Sequence, residues 1–234
     1  MHADVAAIVP AAGAGRRLGG TLRKSFVPLH GRPLLLHTLK TLQETPAIRW
    51  VVLVVRAQDL GRTRKLLRRH RLTKVLEPCL GGASRAESVA RGLAVVPREA
   101  KWVLVHDGAR PCVSRRLIQE AVRSARRHGA VACGLPASLT VKAVDEHRDV
   151  RLTLDREQLW LVQTPQVFRR DWFTQALGRA DGRLTTFPDD AAIVEAGGFP
   201  VRLIPGDPLN LKVTTKNDLI LAEAILERRQ RQRR

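Results

Sequence analysis

The feature that most constrains this chain is the run Trp50–Val55 (WVVLVV). A strand that is apolar at every position, and not only at alternate ones, has both faces covered. Val5–Pro10, Trp102–His106 and Ala130–Leu135 also read as strands, and Lys74–Glu77 as a short one. Between these runs lie segments with helical spacing at Pro33–Gln43, Gln58–Arg69, Ser84–Val95 and Ser114–Arg127. Pro33 stands where a first helical position tolerates proline. Ser84 and Glu87 have the spacing of a capping box, and Ser114 is a further N-cap. The alternation predicts an α/β fold, an open, mostly parallel twisted sheet with helices on both faces.

The rhythm breaks at Thr140–Thr153, where apolar and charged residues alternate around a polar tip at Asp145–Asp149. This predicts a two-stranded hairpin, and a hairpin alone is marginal in water. It is therefore expected either to pack on another subunit or to rejoin the main sheet. Beyond it, the chain predicts an extended Trp160–Phe168, a helix from Arg170, a helix over Asp189–Ala196, a strand at Pro200–Ile204 and a last helix over Lys216–Arg229. No repeat or low-complexity linker divides the 234 residues. One domain over 1–234 is expected, with the arm at 137–156 and a basic tail at 228–234.

The formal net charge of +19 suggests a polyanionic partner. Yet 33 of the 41 basic residues are arginine, which reads as a compositional bias. The stretch 62–74 and the tail carry the densest basic clusters, but tyrosine is absent and aromatics are few. Single-strand binding wants aromatic platforms, so nucleic acid is not the expected partner. No apolar run reaches the roughly 20 residues of a membrane helix. Three separated cysteines form no metal or disulfide pattern and suit the cytoplasm.

After the first strand comes Pro10-Ala11-Ala12-Gly13-Ala14-Gly15-Arg16-Arg17. Small residues at a strand's carboxyl end let a ligand approach the backbone. The loop is not a dinucleotide fingerprint, because Leu18 stands where the third glycine belongs and Arg56, not an acid, follows the second strand. Nor is it a Walker A loop, because Arg23 precedes Lys24-Ser25. Arg16, Arg17 and Lys24 after the glycines do suit a triphosphate.

Further motifs occur in order: Gly81-Gly82-x-x-Arg85-x-x-Ser88-Val89, Val105-His106-Asp107-Gly108-Ala109-Arg110-Pro111, Asp155-Arg156, Thr164-Pro165-Gln166-x-Phe168, Asp189-Asp190-Ala191 and Asn210-x-Lys212-Val213-Thr214. Together with the glycine loop they resemble the 2-C-methyl-D-erythritol 4-phosphate cytidylyltransferase family of the non-mevalonate isoprenoid pathway, over about 4–226. The resemblance implies a nucleotide-diphospho-sugar transferase-like fold. It also implies CMP transfer from CTP to methylerythritol phosphate with Mg²⁺ or another divalent cation, and a homodimer joined through the hairpin arms. A related acceptor, ribitol 5-phosphate, is the nearest alternative. A basic nucleic-acid-binding protein is a more distant one.

The implied chemistry needs positioning and fixed positive charge more than proton transfer, because a phosphate monoester is mostly a dianion at pH 7. By the same resemblance, Arg17, Lys24, Arg156 and Lys212 are catalytic. CTP lies along Ala11, Ala12, Gly13, Ala14, Gly15 and Arg16, with Gly82 and Ser88 at the base. The acceptor meets Asp107, Gly108, Arg110, Thr164 and Lys212, with Thr140 and Arg156 from the partner's arm. The cation is expected on the CTP phosphates, with Asp107 the one protein ligand to consider. Asp189 reads equally as an N-cap, and His106 as a structural residue. Departures from the family pattern are Arg23, Ser25, Ala83, Gly108 and Pro188.

Overall fold

The computed structural model describes residues 3–13, 23–180 and 182–232. In chain order the strands are β1 (Val5–Pro10), β2 (Pro28–Leu29), β3 (Arg32–Pro33), β4 (Ile48–Val55), β5 (Cys79–Leu80), β6 (Trp102–Val105), β7 (Ala130–Pro136), β8 (Val141–Val144), β9 (Val150–Leu154), β10 (Trp160–Arg169) and β11 (Arg202–Pro205). The helices are α1 (Leu34–Gln43), α2 (Leu60–Arg69), α3 (Arg85–Ala94), α4 (Arg115–His128), α5 (Arg170–Arg179), α6 (Asp190–Ala196) and α7 (Lys216–Arg231).

Seven strands form one sheet in the order β11-β7-β10-β6-β1-β4-β5. β10 runs antiparallel to β6 and β7, and every other neighbouring pair in that sheet is parallel. β1 shows why the apolar runs are continuous. Val5, Ala7 and Val9 face a core built on α1 and α4, with Leu66 of α2. Ala6 and Ile8 face a second core with Ala86, Val89 and Leu93 of α3 and residues of α5 and α6. A strand with helices on both sides has no face to leave polar. A third, smaller cluster seats α7 against Leu29, Leu34, Cys112 and Val213.

Several expectations change in detail. Lys74–Glu77 is not a regular strand. It makes one parallel bridge, Val51 to Val75, and the ladder on β4 resumes at Cys79–Leu80. Pro78 lies between and has no N–H to donate. Pro33 precedes α1 and pairs with β2. The cap of α3 is half a capping box. Ser84 accepts the Glu87 N–H at 3.1 Å, but the Glu87 carboxylate accepts from Ala83 N–H at 2.9 Å, one residue early. Ser114 caps α4 by accepting the Leu117 N–H. The full capping box is at Thr215 and Asp218, ahead of α7.

β8 and β9 pair with each other and not with the main sheet. The Asp145 carboxylate accepts the His147 and Asp149 N–H groups and closes the tip. No described helix is long and apolar enough to cross a membrane.

α4 ends at Gly129, whose φ is +84° and where a Cβ would overlap the Trp172 ring. Both the backbone and the ring exclude a side chain there. Gly129→Ala should destabilise the fold by roughly 1–3 kcal/mol. The check is the urea midpoint; an unchanged midpoint would show that Trp172 yields freely.

Candidate active site

A cavity of about 450 Å³ opens at the carboxyl ends of β1, β4 and β6. The segment after β1 forms one wall. Ala11 N–H donates to Val54 O at 2.8 Å, Arg56 Nε donates to Ala12 O at 2.7 Å, and Ser25 Oγ donates to Ala11 O at 3.3 Å. Two small-residue segments face it. A Cβ on Gly81 would come within 2.5 Å of the Ala12 Cβ, and Gly82 N–H donates to Ser88 Oγ at 3.1 Å. Gly108 abuts α1: a Cβ there would lie 2.9 Å from Leu35 Cδ1.

Asp107 follows β6 and is almost fully buried. Its Oδ1 lies 3.0 Å from Arg85 Nε, and its Oδ2 lies 2.8 Å from Lys212 Nζ and 3.8 Å from Arg110 Nε. Burial alone would push this carboxyl up. The charges of Arg85 and Lys212 outweigh burial and hold it well below the usual carboxylate range. Arg85 also reaches Asp190 Oδ2 at 2.8 Å. Burial depresses the charged form of Arg85, but the two carboxylates win and keep it firmly protonated. Asp190 is fully buried, and its Oδ1 has no partner among the described residues. There burial prevails and pushes the carboxyl up, against the pull of Arg85.

Lys212 is placed by its neighbours. Val213 is buried and its N–H donates to Ala109 O at 2.8 Å. On the other side of Lys212, Asn210 O accepts from Arg110 Nη1 at 2.8 Å, and Asn210 Nδ2 donates to Thr164 O at 2.7 Å. Segment 210–213 is thus tied to both the turn after β6 and the middle of β10.

Of the residues expected at the site, Ala11, Ala12, Gly13, Lys24, Gly82, Ser88, Asp107, Gly108 and Lys212 line the cavity. Arg110 and Thr164 are buried, bonded into the turn and segment behind it. Ala14, Gly15, Arg16 and Arg17 lie outside the described residues. Thr140 and Arg156 are exposed at the root of the hairpin and do not line this cavity; Arg156 Nη1 donates to Ser138 O at 3.1 Å. Asp189 caps α6, accepting the Ala192 N–H at 2.9 Å, while Asp190 is the one bound to Arg85.

Sequence reasoning missed Arg85 and Arg56 as cavity residues. Arg85 stood inside a quoted motif, and a cation one turn from Ser88 on α3 was the available signal. Arg56 served only to argue against a dinucleotide. Among the described residues no group of three His, Cys, Asp or Glu side chains converges, and both Asp107 oxygens face cations.

A family model described as 2-C-methyl-D-erythritol 4-phosphate cytidylyltransferase matches residues 5–228. The chain belongs to this family. A relative of that name from Syntrophus aciditrophicus is 40% identical over 229 residues, covering 97% of this chain and 98% of the relative. Another from Symbiobacterium thermophilum is 41% identical over 234 residues, covering 99% and 97%. The crystal structure of 4-diphosphocytidyl-2C-methyl-D-erythritol synthase from Anaerococcus prevotii has a TM-score of 0.85 at 28% identity, covering 95% of this chain and 96% of that one. The cytidylyltransferase structure from Thermus thermophilus has a TM-score of 0.76 at 33% identity, covering 96% and 99%.

Arg85→Met would leave Asp107 short of its nearest guanidinium and Asp190 without the guanidinium that pairs it. Removing one member of such a buried pair costs roughly 3–5 kcal/mol. The depressed Asp107 pKa stabilises the fold above the unfolded carboxyl value of about 4, and that contribution fades as pH falls. The variant's deficit in urea should therefore be full at pH 7 and shrink below about pH 4. A deficit independent of pH would show that Arg85 acts by packing alone.

Proposed function

We propose that this chain transfers CMP from CTP to 2-C-methyl-D-erythritol 4-phosphate, giving 4-diphosphocytidyl-2-C-methyl-D-erythritol and pyrophosphate. One observation carries the reading. In a chain of this family, a single cavity joins the small-residue segment after β1 and Lys24 to the Asp107–Lys212 pair after β6. The first half suits a nucleotide held against backbone, and the second suits an anionic acceptor. Ribitol 5-phosphate is not favoured, since the relatives above carry the methylerythritol name.

An acceptor phosphate oxygen attacks the CTP α-phosphorus in line. A new P–O bond forms, the α–β bridge bond breaks, and pyrophosphate leaves with its electron pair. The protein's task is to bring two polyanions together and to stabilise the charge on the α-phosphoryl oxygens. In this reading Lys24 and Arg17 hold the triphosphate, and Lys212 positions the acceptor phosphate. In the same reading Gly82 and Ser88 form the floor under the cytosine, where close backbone contact would exclude a purine by size. The divalent cation enters as part of the nucleotide substrate, on phosphate oxygens, as a hard cation prefers.

The acceptor half is completed by a second copy. Thr140 and Arg156 lie on the exposed root of the hairpin, away from their own chain's cavity. Leu139 before the hairpin, Leu152 on β9 and Leu161 on β10 are 79%, 57% and 60% exposed, apolar surface that suits burial against another subunit. The three free cysteines suit a reducing, cytoplasmic setting. Burial pushes Cys112 up to about 11 and Cys133 up to about 12, leaving both inert.

The test is pyrophosphate release from CTP with Mg²⁺, comparing methylerythritol 4-phosphate with ribitol 5-phosphate and with ATP or UTP as donor. Turnover is expected only with CTP and methylerythritol phosphate. Lys24→Ala or Arg17→Ala should lower turnover by at least about 100-fold with the fold intact. Near-normal turnover would remove that residue from the mechanism. Mixed dimers of Lys24→Ala and Arg156→Ala chains should recover activity that neither parent has. Mixed dimers that stay inactive would count against the shared site.

A further inference from the structure

His106 lines no wall of the cavity and has no part in the chemistry above, yet it is fully buried beside Asp107. Its Nε2 faces Arg110 O at 3.4 Å, and its Nδ1 faces Thr164 Oγ1 at 3.0 Å. A carbonyl oxygen only accepts, so Nε2 carries the hydrogen. Burial pushes the imidazole down to about 4, so at pH 7 the ring is neutral and Nδ1 is bare. A bare Nδ1 accepts, and Thr164 is its donor. Thr164 Oγ1 also lies 3.1 Å from Asp107 N, and a backbone N–H only donates. The hydroxyl therefore gives its one hydrogen to His106 and a lone pair to Asp107.

We infer that His106 is a positioning residue. It sets the direction of the Thr164 hydroxyl and, through it, the backbone of Asp107, whose carboxylate holds Lys212 in the cavity. Thr164 then has no hydrogen left for an acceptor phosphate, and acts on the acceptor through Asp107. The same ring also closes the turn it precedes. Arg110 N–H donates to Asp107 O at 3.0 Å, and Arg110 O accepts from both His106 Nε2 and, at 3.3 Å, Thr38 Oγ1. The kinetic part of the test rests on the cytidylyl-transfer reading; the spectroscopic part does not.

The full chain, labelled with ¹⁵N at histidine, should show His106 at pH 7 with a bare Nδ1 and a protonated Nε2. The His106→Asn spectrum supplies the assignment. A protonated Nδ1 would overturn the inference whatever the enzyme's activity. For kinetics, His106→Gln brings an amide to the Nε2 position, keeping a donor for Arg110 O and losing the acceptor for Thr164. His106→Asn brings its oxygen to the Nδ1 position and keeps that acceptor. His106→Gln and Thr164→Val should each lower kcat/KM for the acceptor roughly 10-fold, with KM for CTP unchanged within about twofold. The double variant should be no worse than either single one, and His106→Asn should retain most of the activity. Additive losses, an equal loss in His106→Asn, or a parallel rise in KM for CTP would overturn the relay. A wild-type chain that fails to turn over CTP with methylerythritol phosphate would sink the functional reading instead, and the ring tautomer would then decide the relay.

Discussion

A carboxylate buried where β6 meets the cavity must be paired or neutralised, and Asp107 is paired by three cations. They come from separate parts of the chain: Arg85 from the first turn of α3, Arg110 from the turn after β6, and Lys212 from the approach to α7. Arg85 extends the cluster to Asp190 at the start of α6. One cluster thus joins four segments around the cavity. Such buried charge is a poor source of net stability but a strict one of geometry, because a misplaced partner leaves a charge without solvent.

The sheet puts that cluster next to the nucleotide side. β1 lies between β4 and β6, so the segments leaving β1 and β6 part from each other and open a crevice at their carboxyl ends. β10, inserted antiparallel between β6 and β7, brings Thr164 alongside Asp107. The antiparallel direction follows from the route of the chain, which leaves β7 at Pro136, passes out through the hairpin and re-enters beside that same end at Trp160.

Much of the fold was legible in the sequence because burial on two faces leaves continuous apolar runs. Val5–Pro10 and Trp50–Val55 could be little other than inner strands. Local chemistry was legible for the same kind of reason: Ser84 and Ser114 cap helices through neighbours three residues away. What failed was whatever depended on a distant partner. The direction of β10 could not be seen in Trp160–Phe168. The strand expected at Lys74–Glu77 shrank to a single bridge, because β4 rather than its own residues decides where the ladder forms. Arg85 looked like one helix arginine among many, since neither carboxylate that claims it lies nearby in sequence.

By itself the sequence determined the layered α/β architecture, the small-residue loop after β1 and the set of motifs that marks the family. These depend on residue type and short spacing, and such signals survive in one dimension. Only the tertiary structure decided which charges meet. It brought Arg85, Arg110 and Lys212 onto one carboxylate. It left Thr140 and Arg156 on an exposed hairpin root and set His106 behind Asp107 with Nε2 facing the Arg110 carbonyl and Nδ1 facing the Thr164 hydroxyl. The physical reason is that charge pairing and hydrogen-bond direction are matters of a few ångströms, here mostly between residues 22 to 105 positions apart, and only the folded chain sets those distances.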